Sequence, residues 1–116
     1  MNDLSGKIES FESRVKELAL NLFKNATYEC ISKERFLLKS RVKIRKNLFV
    51  AIYYSPGNER QDFSLIYKER RIFGYDNLDF WHYHPFNSPT DHIPCTRPKM
   101  NVIWQEIKRV VQLLNR

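Results

Sequence analysis

Apolar side chains recur at Leu4, Ile8, Phe11, Val15, Leu18 and Leu22, in steps of three or four residues. That spacing places them on one stripe of a helix, with Lys7, Glu9, Arg14, Lys16 and Glu17 on the opposite side. Asn2 or Asp3 can cap its start, and Asn25 supplies a stop. The period then changes to two. Leu38, Ser40, Val42 and Ile44 alternate with Lys39, Arg41, Lys43 and Arg45, which predicts a strand with one buried face and one cationic face. A preceding strand fits residues 27–32. Lys46-Asn47 reads as a turn, and residues 48–54, rich in Val, Ile, Tyr and Phe, as the next strand. Ser55-Pro56-Gly57-Asn58 is a turn signal, Phe63, Leu65 and Tyr67 continue as a strand, and Lys68-Glu69-Arg70 leads into a last strand over 71–76. Successive strands joined by tight turns make an antiparallel meander.

Residues 77–97 have no helical period and contain Pro85, Pro89 and Pro94. The stretch reads as a long functional loop in which residues 80–84 can run extended before Pro85. A second helix begins near Pro98, with Met100, Ile103, Ile107, Val110 and Leu114 as its stripe. The expected fold is α+β: an antiparallel four- to five-stranded meander with an N-terminal and a C-terminal helix packed on one face. The other face stays open and carries the cations. Nothing divides residues 1–116 into more than one domain.

Composition sharpens this picture in two ways. The chain has 116 residues with 42% hydrophobic and 14% aromatic content, enough for one core, so disorder is excluded. No apolar run spans a membrane and no signal-peptide core opens the chain, so a cytoplasmic protein is expected. Cys30 and Cys95 are far apart and form no CxxC unit, as expected of free thiols in a reducing compartment. The net charge is +7, and the excess is local: residues 26–60 hold eight basic and three acidic side chains, while residues 1–25 balance. A basic patch of this kind faces phosphates, faces an acidic partner, or is simply solvated.

All three histidines lie between residues 82 and 92. In an extended stretch His82 and His84 point the same way and Trp81 and Tyr83 the other. Two imidazoles and a third at His92 suit proton transfer in phosphodiester cleavage, which needs a base, an acid and cations for the phosphate. The same His-x-His spacing also suits a metal, completed by Asp76, Asp79 or Asp91, and it suits plain packing. Asp76 either orients a histidine or, with Asn77, satisfies backbone groups at a strand end. Trp81, Tyr83, Phe80 and Phe86 either stack on bases or fill the core.

Taken in order, the basic alternating hairpin, the run Arg71-Ile72-Phe73-Gly74-Tyr75-Asp76-Asn77, then His82-Tyr83-His84-Pro85, a further His92 and a closing helix resemble the TumE-like toxins of prokaryotic toxin–antitoxin modules. The resemblance spans roughly residues 27–110. Tyr83 separates two histidines that the family pattern sets side by side, and one histidine expected near His92 is absent. What the resemblance implies is a growth-arresting toxin acting as a ribonuclease, neutralised by a co-encoded helix-turn-helix antitoxin. By position, Asp76, His82, His84 and His92 inherit the active-site role.

The resulting expectation is a metal-independent ribonuclease that needs no cofactor. His82 and His84 form its acid–base pair, His92 assists and Asp76 orients a ring. Lys39, Arg41, Lys43, Arg45, Arg70, Arg71, Trp81 and Tyr83 contact RNA. A non-catalytic nucleic-acid-binding module and a metal-dependent hydrolase using the His-x-His loop are the alternatives. A homodimer stays open.

Overall fold

The computed structural model describes residues 4–115; the expected cap at Asn2 or Asp3 lies outside them. Helix α1 (Leu4–Leu22) is followed by strands β1 (Thr27–Glu34), β2 (Leu37–Arg45), β3 (Leu48–Ser55), β4 (Arg60–Tyr67), β5 (Arg70–Asp76), β6 (His82–His84) and β7 (Ile93–Pro94), and then by helix α2 (Met100–Leu114). The strands form one antiparallel sheet in chain order, β1 to β7. The expected α+β meander is therefore present, and it is longer than the expected four or five strands. The extra strands, β6 and β7, span three and two residues. Prolines at 85, 89 and 94 hide strands this short from any reading of periodicity.

One face of the sheet carries the core. Leu38 and Val42 of β2, Leu48, Val50 and Ile52 of β3, Phe63 and Leu65 of β4, and Phe73 and Tyr75 of β5 are buried there. Ile8, Phe11, Val15 and Ala19 of α1 and Ile103, Trp104, Ile107, Val110 and Val111 of α2 join the same cluster. Phe11 stacks on Tyr54 with ring centroids 4.1 Å apart, and Phe63 meets the Trp104 edge at 6.1 Å. Each large side chain buried in this way contributes roughly 1.5–3 kcal/mol, which offsets the entropy of ordering the sheet.

Turn chemistry sets the register. Asn47 turns β2 into β3 with φ 63°, a left-handed conformation that asparagine tolerates. Tyr67 pairs with Arg70, so β4 and β5 are joined by a two-residue loop, Lys68-Glu69, with φ 50° and 69°. Both central residues are left-handed, as in a type I′ turn, yet neither is the glycine or asparagine such a turn favours. No helix among the described residues is long and apolar enough to cross a membrane. Cys30 and Cys95 are free thiols.

Candidate functional site

Cross-strand partners share a face, so the pairing fixes what the uncovered side of the sheet carries. Lys39, Arg41 and Lys43 pair with Tyr53, Ala51 and Phe49. Tyr53 and Ala51 pair in turn with Asp62 and Ser64, and Asp62 with Asp76. Gly74 pairs with His84 and Asp76 with His82. The cationic row of β2 and the histidines of β6 thus lie on one open face, about 19 Å apart at four strand spacings.

Not every expected contact residue reaches that face. A register shift between Lys43 and Arg45 pairs Arg45 with the buried Leu48, and the Arg45 guanidinium donates to Oδ1 of Asn115 at the end of α2. Arg70 pairs with Tyr67, on the side of the core, whereas Arg71 pairs with Ile66 on the open side. Trp81 and Tyr83 pack against the core, Tyr83 with its ring 5.8 Å from that of Tyr75. Of the eight residues expected to touch RNA, Lys39, Arg41, Lys43 and Arg71 remain on the open face. In exchange the structure offers Phe49, under the Arg41 guanidinium at 4.2 Å, and Tyr53, 5.5 Å from that of Arg60. Residues 48–54 are apolar on both faces, so the sequence did not single these rings out.

At the other end of the face, β5 brings Asp76 against β6. On its other side β5 lies close against β4 at Gly74, where a Cβ would fall 2.6 Å from the Phe63 carbonyl oxygen, so only glycine fits. The Asp76 carboxylate accepts from Leu78 N–H at 3.0 Å through Oδ1, and its Oδ2 lies 2.9 Å from His84 Nε2. His82 Nε2 is 3.1 Å from Oδ1 but too far off axis to form a hydrogen bond, and it has no other partner. On their far sides His82 Nδ1 meets the Phe80 carbonyl at 2.9 Å and His84 Nδ1 the Pro89 carbonyl at 3.1 Å. His92 closes the group, its ring 4.7 Å from His82 and 4.6 Å from His84. One ring nitrogen from each of the three histidines lies within 4.8 Å of the others.

The expected cluster of Asp76, His82, His84 and His92 is therefore assembled, and its burial is uneven. His82 and His84 are 3% and 1% exposed, and Asp76 5%, while His92 is open to solvent. Burial pushes the Asp76 carboxyl up. The His84 and Leu78 hydrogen bonds, with the charges of His82 and His84, outweigh it and hold the group below the usual carboxylate range. Nearby Asp62 moves the opposite way, raised by burial and by the charge of Asp76 against a 2.7 Å hydrogen bond from Ser64. Asn77 does structural work: its side chain accepts from Gln61 N–H at 2.8 Å and donates to the Glu59 carbonyl at 2.8 Å. Asp79 and Asp91 do not join the metal-spaced histidine group.

Shallow hollows lie on both sides of the sheet. One on the open face, about 330 Å³, is lined by Lys39, Arg41, Ala51, Tyr53 and Asp62. A larger one, about 700 Å³, lies beside α1 and the start of α2, lined by Lys7, Arg14, Arg97 and Lys99. It holds none of the histidines, so size alone does not locate the chemistry.

Fold and site together define a two-layer α+β protein with an open, partly cationic sheet face that ends in a carboxylate–imidazole cluster. Compared with known proteins, the chain matches no family model, no curated protein and no solved structure.

Proposed function

We propose that this protein binds single-stranded RNA across the open face of its sheet and cleaves it at the histidine cluster. On this reading it is the toxin of a toxin–antitoxin module. The observation that carries the reading is the common face: Lys39, Arg41, Lys43 and Arg71 share it with Asp76, His82 and His84. The resemblance to TumE-like toxins supports the biological role and the helix-turn-helix antitoxin as partner. Phe49 and Tyr53 offer stacking surfaces between the cations and the cluster.

In the proposed reaction the RNA 2′-hydroxyl attacks the adjacent phosphorus. His92 takes the hydroxyl proton, the P–O5′ bond breaks as the 2′,3′-cyclic phosphate forms, and the 5′-oxygen takes its proton from solvent water at the mouth of the cluster. The open-face cations hold the developing phosphorane charge. Burial changes the roles expected from sequence. His82 and His84 are too enclosed to touch a 2′-hydroxyl and act as positioning residues, fixed by carbonyls on one side and Asp76 on the other. His92 is the member presented to substrate.

The same burial favours a second reading, a non-catalytic RNA-binding module with structural histidines. Labelled RNA separates the two. On the catalytic reading, wild type cleaves and His92→Ala binds the RNA without cleaving it. Salt-sensitive binding with no cleavage by wild type at any pH would establish the binding module instead.

A further inference from the structure

We propose that His82, His84 and His92 form a binding site for one divalent first-row transition ion, zinc foremost, with Asp76 beside it. The two buried rings have few protons to share among their neighbours. A neutral imidazole has a single N–H. His82 Nδ1 faces the Phe80 carbonyl and His84 Nδ1 the Pro89 carbonyl, at 2.9 and 3.1 Å, and a carbonyl can only accept. In the neutral rings the N–H belongs on Nδ1 and both Nε2 atoms present lone pairs to the cluster interior; a proton on His84 Nε2 makes the hydrogen bond to Asp76 Oδ2 instead, and a bound cation takes that proton's place.

With neither that proton nor a cation present, the lone pairs face a carboxylate. Asp76 Oδ1 and Oδ2 lie 3.1 and 2.9 Å from the two Nε2 atoms, and a carboxylate also only accepts. His82 Nε2 is buried and has no hydrogen-bond partner at all, an orphaned polar atom aimed into the group. A cation between the imidazoles and the carboxylate satisfies every one of these atoms. An Nδ1–H held by a backbone carbonyl is also the outer-shell arrangement that orients metal-binding histidines.

Geometry agrees in kind. The three candidate ligand nitrogens lie within 4.8 Å of one another. Zinc–nitrogen bonds of about 2.0–2.1 Å place tetrahedral ligands roughly 3.4 Å apart, so the group closes by about an ångström or more. His92 is the exposed member, carried between β6 and β7, and is placed to make that movement. Nitrogen donors with a carboxylate or solvent as fourth ligand suit zinc, nickel or copper rather than magnesium or calcium. Three protein ligands leave a position open. At the end of the proposed RNA path, that open position deepens the reading given above. Metal binding itself does not depend on it.

The test is titration of tag-free, chelator-stripped protein with zinc by calorimetry and with cobalt by visible absorption, beside His92→Ala. The expected result is one equivalent, with the visible bands of a four-coordinate cobalt site and an affinity loss of at least about tenfold to a hundredfold in the variant. His92 is exposed, so its loss leaves the fold intact, as circular dichroism can verify. A stripped wild type that takes up no stoichiometric metal, or His92→Ala binding as tightly as wild type, overturns the site. Running RNA cleavage on the same samples separates the two proposals. Cleavage by metal-free protein that takes up no zinc rejects the site and keeps the ribonuclease, whereas zinc uptake without cleavage does the reverse.

Discussion

Among the described residues two carboxylates are buried, one on each side of the sheet, and their surroundings differ in a way that sorts structure from chemistry. Glu12, on α1, accepts from the Tyr28 hydroxyl at 2.6 Å and from Lys33 Nζ at 2.7 Å. Both partners are fixed donors, so the group is closed: each oxygen has a proton facing it. Asp76 instead shares His84 Nε2 through one oxygen, while His82 Nε2, 3.1 Å from the other, is buried with no hydrogen-bond partner. A satisfied cluster locks α1 to β1. An unsatisfied one, next to an exposed histidine and a cationic face, has capacity left for a ligand or a substrate.

The largest effect that would break this contrast is on turnover. Replacing His92 with alanine is expected to lower RNA cleavage by about 10²–10⁴-fold while leaving thermal unfolding near wild type, measured on labelled RNA and by calorimetry. Next comes binding. The triple variant Lys39→Ala/Arg41→Ala/Lys43→Ala is expected to lose about two units from the slope of log affinity against log salt, at about 0.7 per phosphate on a single strand. Arg45→Ala, whose guanidinium is held by Asn115, should leave that slope unchanged.

Smaller effects fall on stability. Gly74→Ala drives a Cβ into the Phe63 carbonyl and is expected to cost about 1–3 kcal/mol in urea unfolding. It should take cleavage with it, because β5 carries Asp76. Glu12→Gln is expected to cost about 1–2 kcal/mol through its weakened hydrogen bonds and to leave cleavage untouched. It also tests a pH dependence. Burial pushes the Glu12 carboxyl up, but hydrogen bonds from Lys33 and Tyr28 and the charges of Lys33 and Lys16 outweigh it, so its folded pKa is depressed. The stability it adds is present above the ordinary glutamate value and is lost as pH falls through the folded one, from about pH 4.5 downward. Unfolding free energies measured across that range should fall less steeply in Glu12→Gln. Smallest is the Lys68→Asn/Glu69→Gly pair, which suits the left-handed φ values of the β4–β5 turn and should add up to about 1 kcal/mol.

Much of this was legible along the chain. The alternation from Leu38 to Lys43 correctly assigned the buried and open faces of β2, and the two helical stripes correctly predicted the covering layer. Alternation failed where the backbone slipped. The register shift after Lys43 turned Arg45 toward the core side, and no residue-type signal announces such a shift. Two more strands were hidden among prolines, although the expected extended run at residues 80–84 overlaps β6. For the site, residue chemistry named Asp76 and the three histidines, since few side chains offer those functions. Burial could not be read this way: His82 and His84 look like reactive loop residues until β5 and β7 flank them and Phe80, Pro89 and His92 pack against their rings. Asp62 escaped notice because its neighbour across the strand, Asp76, is 14 positions away in sequence.

The most direct test sets the two carboxylate clusters side by side: cleavage of one labelled RNA by wild type, Glu12→Gln and His92→Ala, all held well below their unfolding temperatures. Wild-type rates are expected for Glu12→Gln and loss of cleavage for His92→Ala. Equal rates for His92→Ala and wild type, or equal losses in both variants, would contradict the assignment of chemistry to the histidine side of the sheet.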